Sequence, residues 1–245
     1  MRYFSVAIII FILAVLTFGQ TPASDVMVSI GKKSIKLPTP SGYINAWESY
    51  PKLRTAFELN ETANNQMLAM YAPLISVPGL ESGKYLGFPR YSRVSVSKRI
   101  ADSDFTEAQF GQFVKSFEKA VKSSFKMDSP VTKQVVEEIK RDLIKYFGTD
   151  ASFELKEPKY LGSIGRSKNA FTSATIMTVG AVGKNIPLYN TTALLLVRQR
   201  IIFVYFYGTI EADGDIDKFN AETQKMVDAI LAANPVKKPR LTRSP

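Results

Sequence analysis

The sequence predicts an α+β fold, because two kinds of hydrophobic periodicity occur along its 245 residues. Three segments place apolar residues every three or four positions, which is the spacing of a helix that buries one face. Shorter runs are rich in β-branched and aromatic residues and are bounded by turn-forming residues, as strands are. Hydrophobic residues make up 45% of the chain and charged residues 22%, which indicates a globular protein with a sizeable core.

The first 23 residues have the pattern of a secretory signal peptide. Arg2 provides a basic start, and the strongly apolar run of residues 6–16 is shorter than the roughly 20 residues of a membrane-spanning helix. Small residues follow and allow cleavage after Gly19 or Ala23. We therefore expect an exported protein, periplasmic or secreted, in which residues 24–234 form a single α+β domain. The alternative is a protein that an uncleaved amino-terminal segment anchors in the membrane.

Short elements are expected first along the domain. Residues 26–37 (VMVSIGKKSIKL) predict a hairpin that turns at Gly31 and Lys32. A short helix is expected over residues 50–59, with Pro51 in its first turn. The segments with the composition of strands are residues 65–72, 90–98 and 151–157.

Three longer helices are expected from their apolar stripes and end signals. The first lies in residues 102–125, where Asp104 and Glu107 have the spacing of a capping box. The second begins with Ser129 as its N-cap and stops at Gly148. The third precedes Pro235, and its buried face is expected to comprise Ile216, Phe219, Thr223, Met226, Val227, Ile230 and Leu231.

The most apolar stretch of the domain, residues 192–210 (TALLLVRQRIIFVYFYGTI), is long enough to be a membrane helix or a strand pair. As a membrane helix it would carry Arg198 and Arg200 near its centre, at a cost of about 2.5–3.5 kcal/mol each. As a hairpin it would place Arg-Gln-Arg in water at the turn and bury two strands. We predict the hairpin, as part of about four strands over residues 159–208, and hence no transmembrane helix after signal cleavage.

The order of these elements resembles that of the PsbP/Mog1-like superfamily. A short hairpin leads into LPTPSGY (residues 37–43), and the last strand pair runs into a helix through RQRIIFVYFYGTIEADGDIDKFNAETQKMVDAIL (residues 198–231). The resemblance covers most of the domain and implies an α/β/α sandwich, an antiparallel β-sheet with helices packed on its faces. Members of that superfamily are mostly non-catalytic partners and accessory proteins. The resemblance therefore implies a binding role.

Catalytic and metal-binding patterns are weak. The chain has neither cysteine nor histidine, which excludes disulfides, thiolate nucleophiles, Ser-His dyads and zinc sites built on those residues. Five Ser-x-x-Lys matches lack the motifs that accompany this pair in penicillin-binding enzymes. EADGDID (residues 211–217) fails the EF-hand spacing and predicts a helix start, where aspartate caps free amides. GSIGR (residues 162–166) and GAVGKN (residues 180–185) predict turns between strands rather than phosphate cradles.

We therefore expect no catalytic residues, no metal and no cofactor, and favour an exported binding or accessory module of the cell envelope. The alternative is a hydrolase that works without cysteine and histidine, through Ser/Lys or carboxylate chemistry.

One segment interleaves basic and aromatic residues, GKYLGFPRYSRVSVSKR (residues 83–99). Such a pattern is suited to anionic ligands, although an ordinary strand with inward-packed aromatics would produce it too. The candidate ligand-binding residues are Lys84, Tyr85, Arg90, Tyr91, Arg93, Lys98 and Arg99. The expected partner is an anionic glycan, a lipid headgroup or an envelope protein, and export disfavours nucleic acid.

The carboxyl-terminal residues 235–245 form a basic tail. They contain prolines, no acidic residue and few apolar ones, so we expect them to be disordered. Their four cations would add weak, salt-sensitive attraction to an anionic partner.

Overall fold

The computed structural model describes residues 25–51, 54, 64–82, 90–124, 153–181 and 184–235. Its strands are β1 (Val26–Ile30), β2 (Lys33–Leu37), β3 (Tyr43–Asn45), β4 (Asn65–Pro73), β5 (Arg90–Ser97), β6 (Phe153–Arg166), β7 (Ala170–Ala181), β8 (Lys184–Val197) and β9 (Arg200–Thr209). Its helices are α1 (Ala46–Ser49), α2 (Val77–Glu81), α3 (Glu107–Ser124) and α4 (Asp215–Ala233), with a 3-10 turn at Leu74–Ser76.

The strands form two sheets. Strands β1 and β2 pair as a hairpin, and the other seven form one sheet in the order β3-β4-β5-β9-β8-β7-β6. Every described pairing is antiparallel, and β6 to β9 make a continuous meander. Helices pack against both faces of the large sheet, which confirms the predicted antiparallel α+β architecture.

Helix α4 covers one face of the large sheet together with the β1–β2 hairpin. Its apolar stripe buries Phe219, Met226, Val227 and Ile230 against the sheet, at roughly 1.5–3 kcal/mol for each side chain. The Phe219 ring lies so close to Gly208 of β9 that any side chain at position 208 would overlap it. Glycine at this position therefore lets the helix approach the sheet closely.

The opposite face has two separate covers. Helix α3 packs Phe110 and Val114 on the strands near the β8–β9 turn. Helix α1 places Trp47 over the β4 edge of the sheet, and Leu80 of α2 packs beside it. Between these covers the sheet face carries half-buried polar and aromatic side chains.

The β8–β9 hairpin confirms the prediction for residues 192–210. Its two-residue turn consists of Arg198 and Gln199 at φ 48° and 68°, the left-handed values that glycine or asparagine usually supplies. The expectation that both arginines lie in water is wrong for Arg200, which is 4% exposed. Among the residues that the structure describes, no helix is both long and apolar enough to cross a bilayer.

Arg200 is buried because it joins three parts of the fold. Its Nε donates to the carbonyl of Ile30 at 3.3 Å, beside the β1–β2 turn. Its Nη1 donates to the carboxylate of Asp104, in the segment that leads into α3. Two further contacts tie the same hairpins: Arg198 donates to the Ser34 carbonyl at 2.7 Å, and Lys33 donates to Gln199 Oε1 at 3.1 Å. The turns at this end of the sheet are therefore fixed to one another.

Asn234 fastens the carboxyl end of α4 to β2. Its side-chain oxygen accepts the N–H of Lys36 at 2.9 Å, and its amide nitrogen donates to the Lys36 carbonyl at 2.7 Å. The same nitrogen donates to the Ile230 carbonyl at 2.8 Å. The buried Asn234 amide thus provides hydrogen-bond partners for backbone groups on the edge of the hairpin and in the last turn of the helix.

The start of α3 differs from the prediction. Helix α3 begins with a capping box between Thr106 and Gln109, whose side chains accept one another's backbone N–H groups at 3.2 and 2.9 Å. Asp104 is not part of it, because its carboxylate is engaged by Arg200. The helix expected over residues 50–59 is a separate element that lies mostly outside the described residues; Pro51 and Arg54 are helical, and the N–H of Arg54 donates to the Tyr50 carbonyl at 3.1 Å.

Other differences concern single residues and one motif. Ile216, expected on the buried face of α4, is 36% exposed. GSIGR (residues 162–166) lies within β6 and not in a turn; register shifts occur there, and Gly162 has φ 114°. GAVGKN does join β7 to β8. Predicted segments that lie outside the described residues include the signal peptide, most of the helix expected over residues 50–59, the helix expected over residues 129–148, and residues 236–245 of the tail.

We predict that Asp104→Asn lowers the free energy of unfolding by about 1–3 kcal/mol, because the buried Arg200 guanidinium would lose its carboxylate partner. Urea unfolding of the parent and the variant measures this. Glu107→Gln is the matched control, since it breaks the exposed ion pair with Lys168 and should change stability by less than about 0.5 kcal/mol. Equal effects of the two substitutions would contradict the role given to Arg200.

Candidate binding surface

Strand β5 divides the predicted site between two faces of the sheet, because successive side chains of a strand point to opposite sides. Arg90 lies on the α4 face, where its guanidinium stands 5.2 Å from the Phe219 ring centroid. Tyr91 and Arg93 lie on the opposite face, between the two helical covers. Lys98 and Arg99 are exposed in the turn that follows the strand. Lys84 and Tyr85 lie outside the described residues.

Arg90 belongs to a polar cluster that holds α4 on the sheet. Its Nη1 donates to Glu222 of α4 at 2.8 Å, and the hydroxyl of Tyr43 donates to the same carboxylate at 2.9 Å. Burial, and then the neighbouring Glu222 carboxylate, raise the pKa of Tyr43 well above its ordinary value of 10.0. Since both partners of Glu222 come from the sheet, Arg90 serves the fold and is engaged before any ligand arrives.

Tyr91 and Arg93 join two tyrosines that the sequence interpretation did not include. The Arg93 guanidinium lies 4.7 Å and 5.3 Å from the ring centroids of Tyr205 and Tyr207. The rings of Tyr91 and Tyr207 stack with centroids 4.8 Å apart. All four side chains are half-buried, so this tyrosine–arginine cluster mainly packs on itself.

Lys98 and Arg99 take part in a larger basic surface, because several turns meet at their end of the sheet. These are the β1–β2 turn (residues 31–32), the segment after β5 (residues 98–104), the β6–β7 turn (residues 167–169) and the β8–β9 turn (residues 198–199). Besides the contacts of Arg200, the N–H of Phe105 donates to the Gln199 carbonyl at 2.9 Å, and the N–H of Leu196 donates to the Asn169 carbonyl at 2.8 Å. We call this surface the basic end.

Cations outnumber acids at the basic end. The surface cations are Lys32, Lys33, Lys98, Arg99, Lys168 and Arg198, and the acids are Asp102, Asp104 and Glu107. Two of these acids already have cationic partners. Asp104 contacts Arg200 and Lys33, and Glu107 pairs with Lys168 at 3.2 Å. Lys32, Lys98, Arg99 and Lys168 are exposed. The arrangement can hold anionic groups by charge, over a surface rather than in a pocket.

At the other end of the sheet, the segment that joins β9 to α4 is acidic, and we call it the acidic end. The segment between β9 and α4 and the first turn of α4 carry Glu211, Asp213, Asp215 and Asp217. Asp215 does not cap helix amides as expected; its carboxylate accepts the N–H groups of Glu211 and Ala212, which precede the helix. These hydrogen bonds hold the pKa of Asp215 below its ordinary value. Lys218 pairs with Asp215 at 3.2 Å, which leaves Glu211, Asp213 and Asp217 as the exposed acids of this segment.

Lys98 and Arg99 are among the residues predicted from the sequence, whereas Lys32, Lys168 and Arg198 are not. These residues come from turns that lie far apart along the chain and meet only because antiparallel strands return to the same end. A signal was present, since each of these cations stands in or beside a predicted turn. To group these cations from the sequence alone, one would have needed to know the order of the strands in the sheet.

A shallow groove of about 280 Å³ lies between α4 and the β6–β7 turn. It is lined by Gly165, Arg166, Ser167, Ala170, Gln224, Val227, Asp228 and Leu231. Its polar groups have partners, since Gln224 donates to Asp228 at 2.9 Å and Arg166 donates to Glu118 at 2.8 Å. Within the described ranges, no group of three acidic side chains is placed to hold a metal ion.

No family model and no curated protein sequence matches this chain. Two solved structures are similar to it, a mutant form of the protein Mog1 and the Ran-binding protein Mog1p of Saccharomyces cerevisiae. The first has 11% identity and a TM-score of 0.35, covering 88% of this chain and 97% of its own. The second has 11% identity and a TM-score of 0.34, covering 87% of this chain and 96% of its own. Both are Mog1 proteins. Ran binding is stated of the yeast protein alone.

We predict that Tyr43→Phe destabilises the fold by about 1–2 kcal/mol near neutral pH, because Glu222 loses a hydrogen bond. The deficit should shrink as the pH rises above about 10. Because the pKa of Tyr43 is raised in the folded protein, its contribution to the free energy of unfolding is fully present below the pKa of the unfolded chain. Above that pKa the contribution falls by up to about 1.4 kcal/mol per pH unit. Urea unfolding across an alkaline series measures both effects. A deficit that stays constant with pH would contradict this account.

Proposed function

We propose that this chain is an exported, non-catalytic binding module that attaches through its basic end to an anionic partner of the cell envelope. The observation that carries the proposal is the meeting of Lys32 with Lys98 and Arg99, from two separate turns, on one exposed surface beside the Lys168–Glu107 ion pair. Each such cation contributes roughly 0.2–1 kcal/mol to an exposed ionic contact, so several are needed for a useful affinity. Their turns are fixed to one another, which reduces the ordering cost of binding.

Within the predicted segment, we assign anion binding to Lys98 and Arg99 rather than to Arg90 and Arg93. Arg90 is engaged by Glu222, and Arg93 lies over two tyrosine rings in a half-buried cluster. Lys98 and Arg99 are exposed and lie beside further cations. Of the predicted residues that the structure describes, these two are therefore the ones that best suit a charged partner.

The titration behaviour of the described residues favours a binding module over the alternative hydrolase. Burial raises the pKa values of Tyr43, Tyr71 and Tyr189, and hydrogen bonds lower those of Glu118 and Asp215. Every one of these pKa values moves away from neutrality. A general acid or base that works near pH 7 needs the opposite shift.

We propose export because residues 1–23 have the pattern of a signal peptide. We predict that the native protein begins at residue 20 or 24. Amino-terminal sequencing measures this, and an intact Met1 would contradict export through a cleaved signal.

Binding to dextran sulfate across a salt series tests the basic end. We predict that the combined substitutions Lys32→Gln, Lys98→Gln and Arg99→Gln weaken binding roughly tenfold or more at low salt. The matched control is Lys115→Gln, Lys119→Gln and Lys225→Gln, which removes the same charge from exposed positions on α3 and α4. If both triple variants lose the same affinity, net charge and not the basic end holds the polyanion.

A further inference from the structure

The turns of the basic end lie at nearly one level along the strands. The last pair of β8 and β9 is Val197 with Arg200, and β7 begins opposite Leu195, two residues away. Strand β5 pairs Ser95 with Phe203 and ends two residues further on, at Ser97. Since a strand advances about 3.3 Å per residue, these strand ends differ in height by only about 7 Å. The cations of these three turns therefore stand at similar heights across the end of the sheet, and the hydrogen bond from Arg200 to the Ile30 carbonyl places the β1–β2 turn beside them.

The described turns of the basic end expose no large apolar side chain. The exposed large apolar residues in the described ranges are Met27, Leu74, Ile75, Leu161, Ile164 and Ile216. All of them belong to strand interiors, to the 3-10 turn after β4 or to the start of α4. Contact through these described turns is therefore ionic, since none of their side chains is placed to enter hydrocarbon.

The acidic end would orient the protein on an anionic surface. Strand β9 alone spans about 30 Å, so Glu211, Asp213 and Asp217 lie several screening lengths from the basic end at physiological salt. An anionic surface would attract one end and repel the other. A flat anionic surface can meet the cations of all four turns together, whereas a single linear polyanion can follow only one row of them.

We infer that the partner is a planar anionic lipid surface, which the module contacts end-on through the headgroups, with the acidic end pointing away. This inference rests on the proposed function and names its partner. Attraction of about 1 kcal/mol for each cation near such a surface means that removing three of them lowers partitioning on the order of 100-fold.

Because the chain has no cysteine, single labelled cysteines can report its orientation. Ser103→Cys places a fluorophore at the basic end, and Ala212→Cys places one at the acidic end; both positions are exposed. The protein is mixed with phosphatidylcholine vesicles that carry a headgroup-attached quencher, with or without phosphatidylglycerol. We expect the Ser103→Cys label to be quenched and the Ala212→Cys label to be spared, only with phosphatidylglycerol and reversibly with salt. Lys32→Gln, Lys98→Gln and Arg99→Gln together should lower partitioning on the order of 100-fold.

Several results would overturn the inference. Equal quenching of both labels, or quenching on phosphatidylcholine alone, would show a contact other than the basic end. Binding to dextran sulfate that depends on the basic end, without binding to phosphatidylglycerol vesicles, would leave the proposed function standing and reject the lipid surface. If neither probe binds in a manner that depends on Lys32, Lys98 and Arg99, both proposals fail.

Discussion

Burial of β9 on both faces is the constraint on which the rest of the structure depends. From Arg200 to Val204 every residue of this strand is buried, as are Phe206 and Gly208. A strand of this kind must lie inside the sheet and needs cover on each side. Helix α4 and the β1–β2 hairpin supply one cover, and α3 with the α1 region supplies the other. With both faces of its centre covered, the sheet turns its strand ends to solvent, and the candidate binding surface lies there.

The same constraint explains the buried arginine at the start of β9. Arg200 enters the core, yet its guanidinium must keep hydrogen-bond partners. It finds them in the Ile30 carbonyl and the Asp104 carboxylate, which brings the β1–β2 turn and the approach to α3 against the β8–β9 turn. The left-handed backbone conformation at Arg198 and Gln199 costs on the order of 1–3 kcal/mol for each residue. It persists because side chains on both sides of the turn hold it. Structural rigidity and the exposed cations therefore share one location.

Local patterns in the sequence predicted much of the fold. Alternating apolar and turn residues predicted the β1–β2 and β8–β9 hairpins, and the stripe from Phe219 to Ile230 predicted α4. Contacts between distant segments were not predictable in the same way. Asp104 and Thr106 both suit a helix start, and the choice between them depended on Arg200, far along the chain.

The candidate site was predictable only in part, for the same reason. Its segment was identified, but the alternation of β5 sends Arg90 to α4 and Arg93 to the tyrosines. Lys98 and Arg99 gain their context from turns that strand order alone brings together. The charge pattern along one segment thus included two cations of the basic end and none of those that come from the other turns.

Backbone amide chemical-shift mapping tests the central claim most directly, because it locates the contact without changing a residue. On titration with phosphatidylglycerol nanodiscs, the account predicts that the perturbed amides lie in residues 31–34, 98–104, 167–169 and 198–200, and that the perturbation fades as salt is raised. Perturbation centred on Tyr91, Arg93, Tyr205 and Tyr207, or on the first turn of α4, would contradict it.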